Sequence, residues 1–382
     1  MSRQSDVILP GATLGILGGG QLGRMFTAAA QRMGYKVIVY APEQESPAGD
    51  IANLHLRAPY DDVGCLVGFA SSVDVITLEF ENIPVNTLKV LSQRVPVRPG
   101  PRVLEVSQQR IIEKSTLQQA GFSVTPFVAI EKDDDFRIAI ESLGLPLVIK
   151  TVQFGYDGKG QKTVRSTEDL SSVRQSLGNG LLIAEKMIDF QAEVSILVAR
   201  NPRGETAVYP LVENVHSHHI LDVSRCPVST DLQQVQQQAK TIACGVADHL
   251  GLEGLLCIEF FVADGQLMIN EIAPRPHNSG HWTIEGCATS QFEQQVRAVC
   301  NLPLGCTDLV APCAMVNLLG DLWGDGVPKW ELPLTQPRTY LHLYGKSEAK
   351  PGRKMGHITA LDESAEVAVE RLRNIRNAMA GN

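Results

Sequence analysis

The chain has no apolar stretch approaching the roughly 18 residues that a membrane-spanning helix requires, and its first residues lack the basic segment, apolar run and small-residue cleavage site of an export signal. A membrane or secreted protein is therefore not expected, and the expected location is the cytoplasm. Positive charge is also in short supply: 34 Lys and Arg stand against 42 Asp and Glu, for a net charge of -8. That argues against nucleic acid as a partner, since such a surface needs a basic stripe. It leaves room for a small anion held in a local basic pocket. The eight cysteines form no CxxC and no metal-ligand spacing, so they read as reduced, mostly core residues of a cytosolic protein. No internal repeat and no low-complexity tract occurs. What is present is 382 residues, 44% hydrophobic and 20% charged. This is an ordinary globular composition, too long for one core and suited to two or three domains.

The most informative stretch is IEFFVADGQLMINEIAPRPHNSGH, from Ile258 to His281. Two apolar runs, Ile258–Ala263 and Gln266–Ile272, are joined by Asp264-Gly265, a strong signal for a tight β-hairpin. Glu259 lies on the first run, Asn270 and Glu271 on the second. A two-residue turn places Glu259 opposite Asn270; a three-residue loop or a bulge places it opposite Glu271. Either register gathers oxygen ligands of the kind Mg²⁺ takes when phosphates and water complete its shell. The plain alternative is an edge hairpin with solvated glutamates. Against it, Arg275, His277, Asn278, Ser279 and His281 follow within seven residues. That many donors behind two carboxylates suggest an anion site beside a metal.

Toward the N-terminus, strand 13–17, the turn Gly18-Gly19-Gly20-Gln21-Leu22-Gly23, a helix to about Met33 and strand Lys36–Tyr40 form a βαβ unit. Gly18, Gly20 and Gly23 match the dinucleotide fingerprint, but Tyr40 stands where the ribose-binding acid belongs. The amides at the helix start still suit some phosphate or carboxylate. Strand Val73–Leu78 ends in Glu79-Phe80-Glu81-Asn82, at the carboxyl edge where open α/β sheets bind ligands. A polar linker, Arg98-Pro99-Gly100-Pro101, precedes a helix expected over Val103–Ala120, on which Arg110 and Lys114 read as a solvated face. Lys150 sits inside the apolar strand Pro146–Val152 and needs an anionic partner. A glycine-rich hairpin tip, 153–161, follows it and could fold amides over phosphates, although it is no Walker loop. Strands are expected over Leu181–Ile188, Ala192–Arg200, Val215–Ile220, Cys313–Leu319 and Arg338–Tyr344, and helices over Asp231–Leu250, Gly286–Asn301 and Ser364–Met379. His216, His218 and His219 suggest polar strand residues near a nucleotide more than a zinc site. Lys346, Arg353 and the glycines around them form a second basic turn.

A glycine-rich βαβ unit, a strand lysine, a glycine hairpin and paired glutamates, in that order, resemble the ATP-grasp ligases. GGGQLGRM, EFEN, GYDGKGQ, NEIAPRPHNSGH, YGK and GHIT are similar to the motifs of the 5-(carboxyamino)imidazole ribonucleotide synthetase family of purine biosynthesis, across nearly the whole chain. One departure is Gln108-Gln109-Arg110, where the family more often has Gln-Asp-Arg; the arginine is intact. The resemblance implies an α/β and α+β chain with an ATP-grasp fold. Its parts would be a Rossmann-like substrate domain over 1–112, a small lid domain over 113–190, and a C-terminal domain over 191–382 with the metal site and a barrel-like cap. It implies ATP- and bicarbonate-dependent carboxylation of the exocyclic amine of 5-aminoimidazole ribonucleotide through carboxyphosphate, by a cytoplasmic homodimer using ATP and Mg²⁺, with Mn²⁺ as a substitute. The implied ATP site is Arg110, Lys150, Gly155, Tyr156, Asp157, Gly158, Lys159, Gly160, Gln161, Glu185, Lys186, Met187, Ile188, Glu193, His216, Asn270 and Glu271. Glu259 and Glu271 are the implied metal ligands. Arg275, His277 and Asn278 would hold bicarbonate and carboxyphosphate, and Asp157 would orient or deprotonate the amine. Lys346 and Arg353 would clamp the ribonucleotide phosphate, assisted by Gly20 and Gln21, with Glu79 and Asn82 also on the substrate side. Competing readings are a formate-using glycinamide ribonucleotide transformylase, an NAD-binding oxidoreductase and a catalytically silent nucleotide-binding module.

Overall fold

Residues 7–380, except 154, 156, 157 and 325, are described by a computed structural model. The first sheet is parallel, in the order β3-β2-β1-β4, from β1 (Thr13–Leu17), β2 (Lys36–Tyr40), β3 (Leu54–Leu56) and β4 (Val75–Leu78). β1, β2 and β4 are short, rich in β-branched residues and almost wholly buried, as strands covered on both faces require, while β3 forms the more exposed edge. The helix Gln21–Arg32 follows β1 after Gly18, whose φ of 107° only glycine adopts readily.

The second sheet is antiparallel, β5-β8-β6-β7, made of β5 (Phe127–Ile130), β6 (Leu147–Thr151), β7 (Gln161–Val164) and β8 (Leu182–Lys186). One face packs on the helix Asp134–Leu143 through Phe136 and Ala139, leaving the other face for the site. The third sheet has nine strands: β9 (Ala192–Arg200), β10 (Thr206–Val208), β11 (Val212–Ser217), β12 (Ile220–Cys226), β13 (Gly254–Ala263), β14 (Gln266–Ala273), β15 (Cys313–Leu319), β16 (Thr339–Leu343) and β17 (Lys354–Leu361). Its order is β14-β13-β9-β11-β12-β15-β17-β16, with β10 on β9, so the last three strands continue the sheet that carries the glutamate hairpin.

The helix Gln291–Val299 joins the first and third sheets. Phe292, Val296 and Val299 pack against Phe26, Ala29 and Ala30 of the first helix, while Ala298 faces the core around Leu197 and Cys257. Full burial of each large side chain there contributes about 1.5–3 kcal/mol, which sets the first sheet firmly against the third. Among the described residues no helix is long and apolar enough to cross a membrane.

Several expected elements divide differently. The segment 103–120 is two helices, Pro101–Ser107 and Arg110–Gln119, because Gln109 takes an extended conformation (φ -128°, ψ 112°) and caps the second by accepting from the Ile112 amide at 2.7 Å. Gln109 thereby performs the capping that an aspartate at this position would perform. The segment 286–301 holds only the helix Gln291–Val299, capped by Ser290, with a short turn of helix over Thr283–Gly286 before it. The first part of 231–250 is a 3-10 turn, and the α-helix covers Gln236–His249. The segment 215–220 is a hairpin tip: His218 and His219 have φ of 50° and 65°, and they separate β11 from β12. Strand β17 was not anticipated, because its start, Lys354-Met355-Gly356-His357, reads as part of a basic turn.

Candidate active site

The β13–β14 hairpin turns on Asp264 and Gly265, with φ of 50° and 68°. Ala263 pairs with Gln266 and Phe260 with Ile269, the register of a two-residue turn. A bulge then adds one residue to β14, so that Glu259 pairs with Glu271. Turn and bulge had stood as alternatives; the strand uses both. Asn270 is the extra residue. Its backbone carbonyl accepts from Lys114 Nζ at 2.8 Å, and its side-chain Oδ1 is buried with no partner among the described residues.

Two carboxylates on one face of one strand pair repel, and their surroundings split them. Burial first, and then the Glu271 charge, pushes the Glu259 pKa up, to about 7. Burial acts on Glu271 in the same direction, but the Arg110 guanidinium, 2.8 Å away, outweighs it and holds that carboxyl low. Among the described residues no group of three or more His, Cys, Asp or Glu converges as a metal cage. Glu259, Glu271 and the unpartnered Asn270 Oδ1 fit a magnesium ion that draws its remaining ligands from phosphate and water.

The basic cluster follows at once. Arg275 makes a two-pronged ion pair with Glu81, at 2.5 and 3.0 Å, across to the end of β4. Burial alone would raise the Glu81 pKa, and Arg275 more than reverses it. His277 Nε2 lies 3.1 Å from Glu259, and burial, followed by the Arg275 charge, lowers the imidazole to about 3, so the ring is neutral. Gln291 clamps the His277 backbone from both sides, accepting from its N–H at 2.9 Å and donating to its carbonyl at 2.8 Å. Asn278 presents a buried side-chain amide nitrogen with no partner among the described residues. A fixed guanidinium, a neutral ring and an unfilled amide donor can together receive a small oxyanion.

Opposite lies the second sheet. Lys150 has the anionic partner its burial demanded: Glu185 Oε2 at 2.7 Å. Glu185 also takes Lys114 at 3.5 Å, and both cations hold its pKa down against burial. Arg110 Nη2 donates to the Gly155 carbonyl at 3.3 Å, tying the hairpin tip to the helix that bears Arg110. Gly158 packs so tightly on His219 that an added Cβ would lie 2.8 Å from that ring, and Gln161 Nε2 is 3.4 Å from His219 Nδ1. The tip therefore meets the β11–β12 turn. Gly160 and exposed Lys159 lie on it; Tyr156 and Asp157 lie outside the described residues. After Glu185 the chain leaves the sheet through Lys186, Met187 and Ile188, with the Lys186 and Met187 amides tied to the Pro126 and Pro146 carbonyls. Glu193 contacts His216 across β9 and β11 and, despite burial, raises its pKa.

The N-terminal glycine turn differs from expectation. Glu79 projects into it and accepts from the amides of Gly20 and Gly23, the latter at 2.7 Å. The Gly20 amide, expected at the ribonucleotide phosphate, is thus already occupied by a carboxylate. Added Cβ atoms at Gly20 and Gly23 would sit 2.8 and 3.1 Å from its oxygens, so the fingerprint glycines make room for Glu79 rather than for a dinucleotide. Gln21 opens the helix beside it, and Asn82 is exposed just beyond β4. Lys346 and Arg353 lie on the β16–β17 loop, where their side chains donate to the carbonyls of Lys354 and Glu348 at 2.7 and 2.8 Å. That loop reaches the first helix: the Arg24 guanidinium would be 3.4 Å from a Cβ on Gly345.

Four residues of this site were missed or set aside. Glu81 stood inside EFEN and Arg24 inside GGGQLGRM, so motif membership was the available signal. Lys114 read as part of a wet helix face and Glu113 drew no notice, yet they are 1% and 3% exposed. Nothing in local spacing distinguishes them, because a distant strand buries them.

Comparison with known proteins gives a concordant picture. Three family models match in succession: a ribonucleotide synthetase preATP-grasp domain over residues 11–108, an ATP-grasp domain over 115–292, and a phosphoribosylaminoimidazole carboxylase C-terminal domain over 313–371. A Bacillus subtilis (strain 168) protein named N5-carboxyaminoimidazole ribonucleotide synthase is 42% identical over 375 residues, which cover 98% of this chain and 97% of that protein. The crystal structure of an ADP complex of N5-carboxyaminoimidazole ribonucleotide synthetase superposes with a TM-score of 0.91 at 42% identity, covering 97% of this chain and 98% of that one. The Aspergillus clavatus N5-carboxyaminoimidazole synthase, solved with ADP and 5-aminoimidazole ribonucleotide, superposes with a TM-score of 0.86 at 29% identity, covering 96% of this chain and 98% of that one.

Proposed function

The chain belongs to the N5-carboxyaminoimidazole ribonucleotide synthase family of ATP-grasp ligases, and from that premise we propose that it carboxylates the exocyclic amine of 5-aminoimidazole ribonucleotide at the expense of ATP, in purine biosynthesis. A bicarbonate oxygen attacks the γ-phosphorus and displaces ADP, giving carboxyphosphate. The amine then attacks the carboxyl carbon, phosphate departs, and the amine proton leaves to base. The observation that carries this reading is the juxtaposition of the facing Glu259 and Glu271 with Arg275, His277 and Asn278 directly downstream.

In this reading the second sheet and its hairpin tip hold the nucleotide. Lys150, steered by Glu185, meets phosphate oxygens, Glu193 and His216 face the ribose, and residues 185–188 run past the adenine. Glu259, Glu271 and Asn270 would hold Mg²⁺, which when bound neutralises charge developing on the transferred phosphoryl group. Arg275, kept in a fixed plane by Glu81, and the Asn278 amide receive the bicarbonate. Water must be kept from carboxyphosphate, and the glycine tip between Arg110 and His219 is the element that can close over it. Lys346, Arg353 and Arg24 form the clamp for the ribonucleotide phosphate, while Glu79 takes the side of the ribose and base. Asp157 keeps the role of orienting or deprotonating the amine. The proposed working unit is a homodimer, checked by sedimentation.

The test is ADP release measured with Mg²⁺ while bicarbonate and aminoimidazole ribonucleotide are omitted in turn. Dependence on both is expected. Dependence on formate with glycinamide ribonucleotide would transfer the chain to the sister ligase.

A further inference from the structure

Behind His277 a row of buried polar side chains leads back into the third sheet. Ser279, Ser195, Asn214 and Ser224 are 1%, 1%, 6% and 0% exposed. Each touches the next: His277 Nδ1 to Ser279 Oγ at 2.8 Å, Ser279 Oγ to Ser195 Oγ at 2.7 Å, Ser195 Oγ to Asn214 Nδ2 at 2.9 Å, and Asn214 Oδ1 to Ser224 Oγ at 2.7 Å. Three strands supply the last three members. Ser195 on β9 pairs with Glu259, and Asn214 on β11 pairs with Ser224 on β12, so all lie on the face that carries the glutamates. Four buried polar residues in a row, outside every contact assigned to substrate, call for an explanation.

Hydrogen-bond inventory gives the row a direction. The Asn214 amide nitrogen can only donate, so Ser195 Oγ accepts there and its own proton goes to Ser279 Oγ. Ser279 Oγ then has one proton left, and His277 Nδ1 is the acceptor within reach; the Cys257 thiol, 3.9 Å away, adds a weak contact. A second group agrees independently. The backbone N–H of Ser279 donates to the same Nδ1 at 3.3 Å, and a backbone amide cannot reverse its role. The Ser224 hydroxyl, donating to Asn214 Oδ1, holds the amide the right way round.

We infer that Asn214, Ser195 and Ser279 are positioning residues that act in series to lock His277 in the tautomer with its proton on Nε2, so that the ring meets the substrate as a hydrogen-bond donor and never as a base. The Nε2 proton points to Glu259 in the protein alone. Once Glu259 turns to a cation, the same N–H is offered to the oxyanion beside it. The ring's backbone is immobilised separately by Gln291, and Gly280 makes that possible, since a Cβ there would lie 2.6 Å from Gln291 Oε1. Ring and backbone are thus fixed by different partners, as hydrogen bonds from behind fix site histidines elsewhere. The catalytic consequence rests on the function proposed above; the tautomer does not.

The experiment is long-range ¹H–¹⁵N correlation on the full chain labelled with ¹⁵N-histidine, with His277→Gln identifying the resonances, paired with steady-state ADP release. His277 of the unsubstituted protein should show a bare Nδ1 and a protonated Nε2. Ser279→Ala should admit the second tautomer and lower kcat on the order of tenfold while KM for ATP stays within about twofold. Ser195→Ala, one step removed, should shift the same resonances and lower kcat less; it carries the test should Ser279→Ala not fold. A protonated Nδ1 in the unsubstituted protein would overturn the inference. So would a fall in kcat in both variants with His277 resonances unmoved. The resonances are read without turnover, so failure of the functional reading shows separately, as ADP release indifferent to bicarbonate.

Discussion

The N-terminal glycine turn and the β13–β14 hairpin solve opposite electrostatic problems. In the turn, two amides at a helix start attract negative charge, and the protein supplies it from within through Glu79. In the hairpin, Glu259 and Glu271 bring two negative charges to one spot, and the protein supplies only part of the answer: Arg110 to one and a neutral His277 to the other. The first arrangement is closed and the second is open to a cation. A glycine fingerprint thus marks a need for an anion without saying who provides it, whereas a raised carboxylate facing a lowered one marks a need that remains.

The comparison can be broken at several points. Glu271→Gln should lower Mg-dependent ADP release on the order of a thousandfold while leaving the thermal midpoint nearly unchanged; comparable activity would remove the metal assignment. Arg275→Ala should cost roughly a hundredfold in kcat, and Glu81→Gln, which only frees the guanidinium from its plane, roughly tenfold, both read from ADP release at saturating bicarbonate. At the closed site the loss should appear in stability as well as in ribonucleotide binding. Glu79→Ala orphans two buried amides and should cost about 2–4 kcal/mol in urea unfolding. A catalytic defect with stability intact would show that the turn is open after all.

Two smaller effects sharpen the contrast through pH. Glu259, pushed up by burial and by Glu271, binds a proton that a cation must displace, so apparent Mg²⁺ affinity should rise severalfold from pH 6 to 8. A flat Mg²⁺ titration across that range would remove Glu259 from the ligand set. Glu113, buried beneath the site, is raised chiefly by burial to about 8. The unfolded chain gives up this proton near pH 4.5, while the fold keeps it until about pH 8. Stability from this group is therefore lost as pH rises through that window. Glu113→Gln should flatten the decline, by about 1 kcal/mol or more, as read from unfolding midpoints at pH 5 and 8.

Much of the chemistry was legible residue by residue. Asp264-Gly265 announces its hairpin because both positions need positive φ. Lys150 in an apolar strand announces a buried anion, and Glu185 is there. The register at Glu259 was undecidable from spacing, because a bulge is set by what the strand packs against: Asn270 is pushed out of line with its carbonyl on Lys114. His218 and His219 were taken for strand residues because histidine is a poor turn signal, although its polar ring tolerates the left-handed region. The helix break at Gln109 was invisible for a related reason, since glutamine seldom caps a helix and does so here from an extended backbone.

Local order along the chain thus specified the βαβ unit, the glutamate hairpin, the strand lysine and the basic residues downstream, because each is written in turn chemistry or periodicity within about ten residues. The pairing of Glu79 with Gly20 and Gly23, of Arg110 with Glu271, of Arg275 with Glu81, and of Lys114 with two strands of different sheets was decided only when three sheets met. Those partners lie 56 to 194 positions apart. A charge carries no mark of its counter-charge at that distance; burial in a shared, poorly solvated space makes the pairing obligatory.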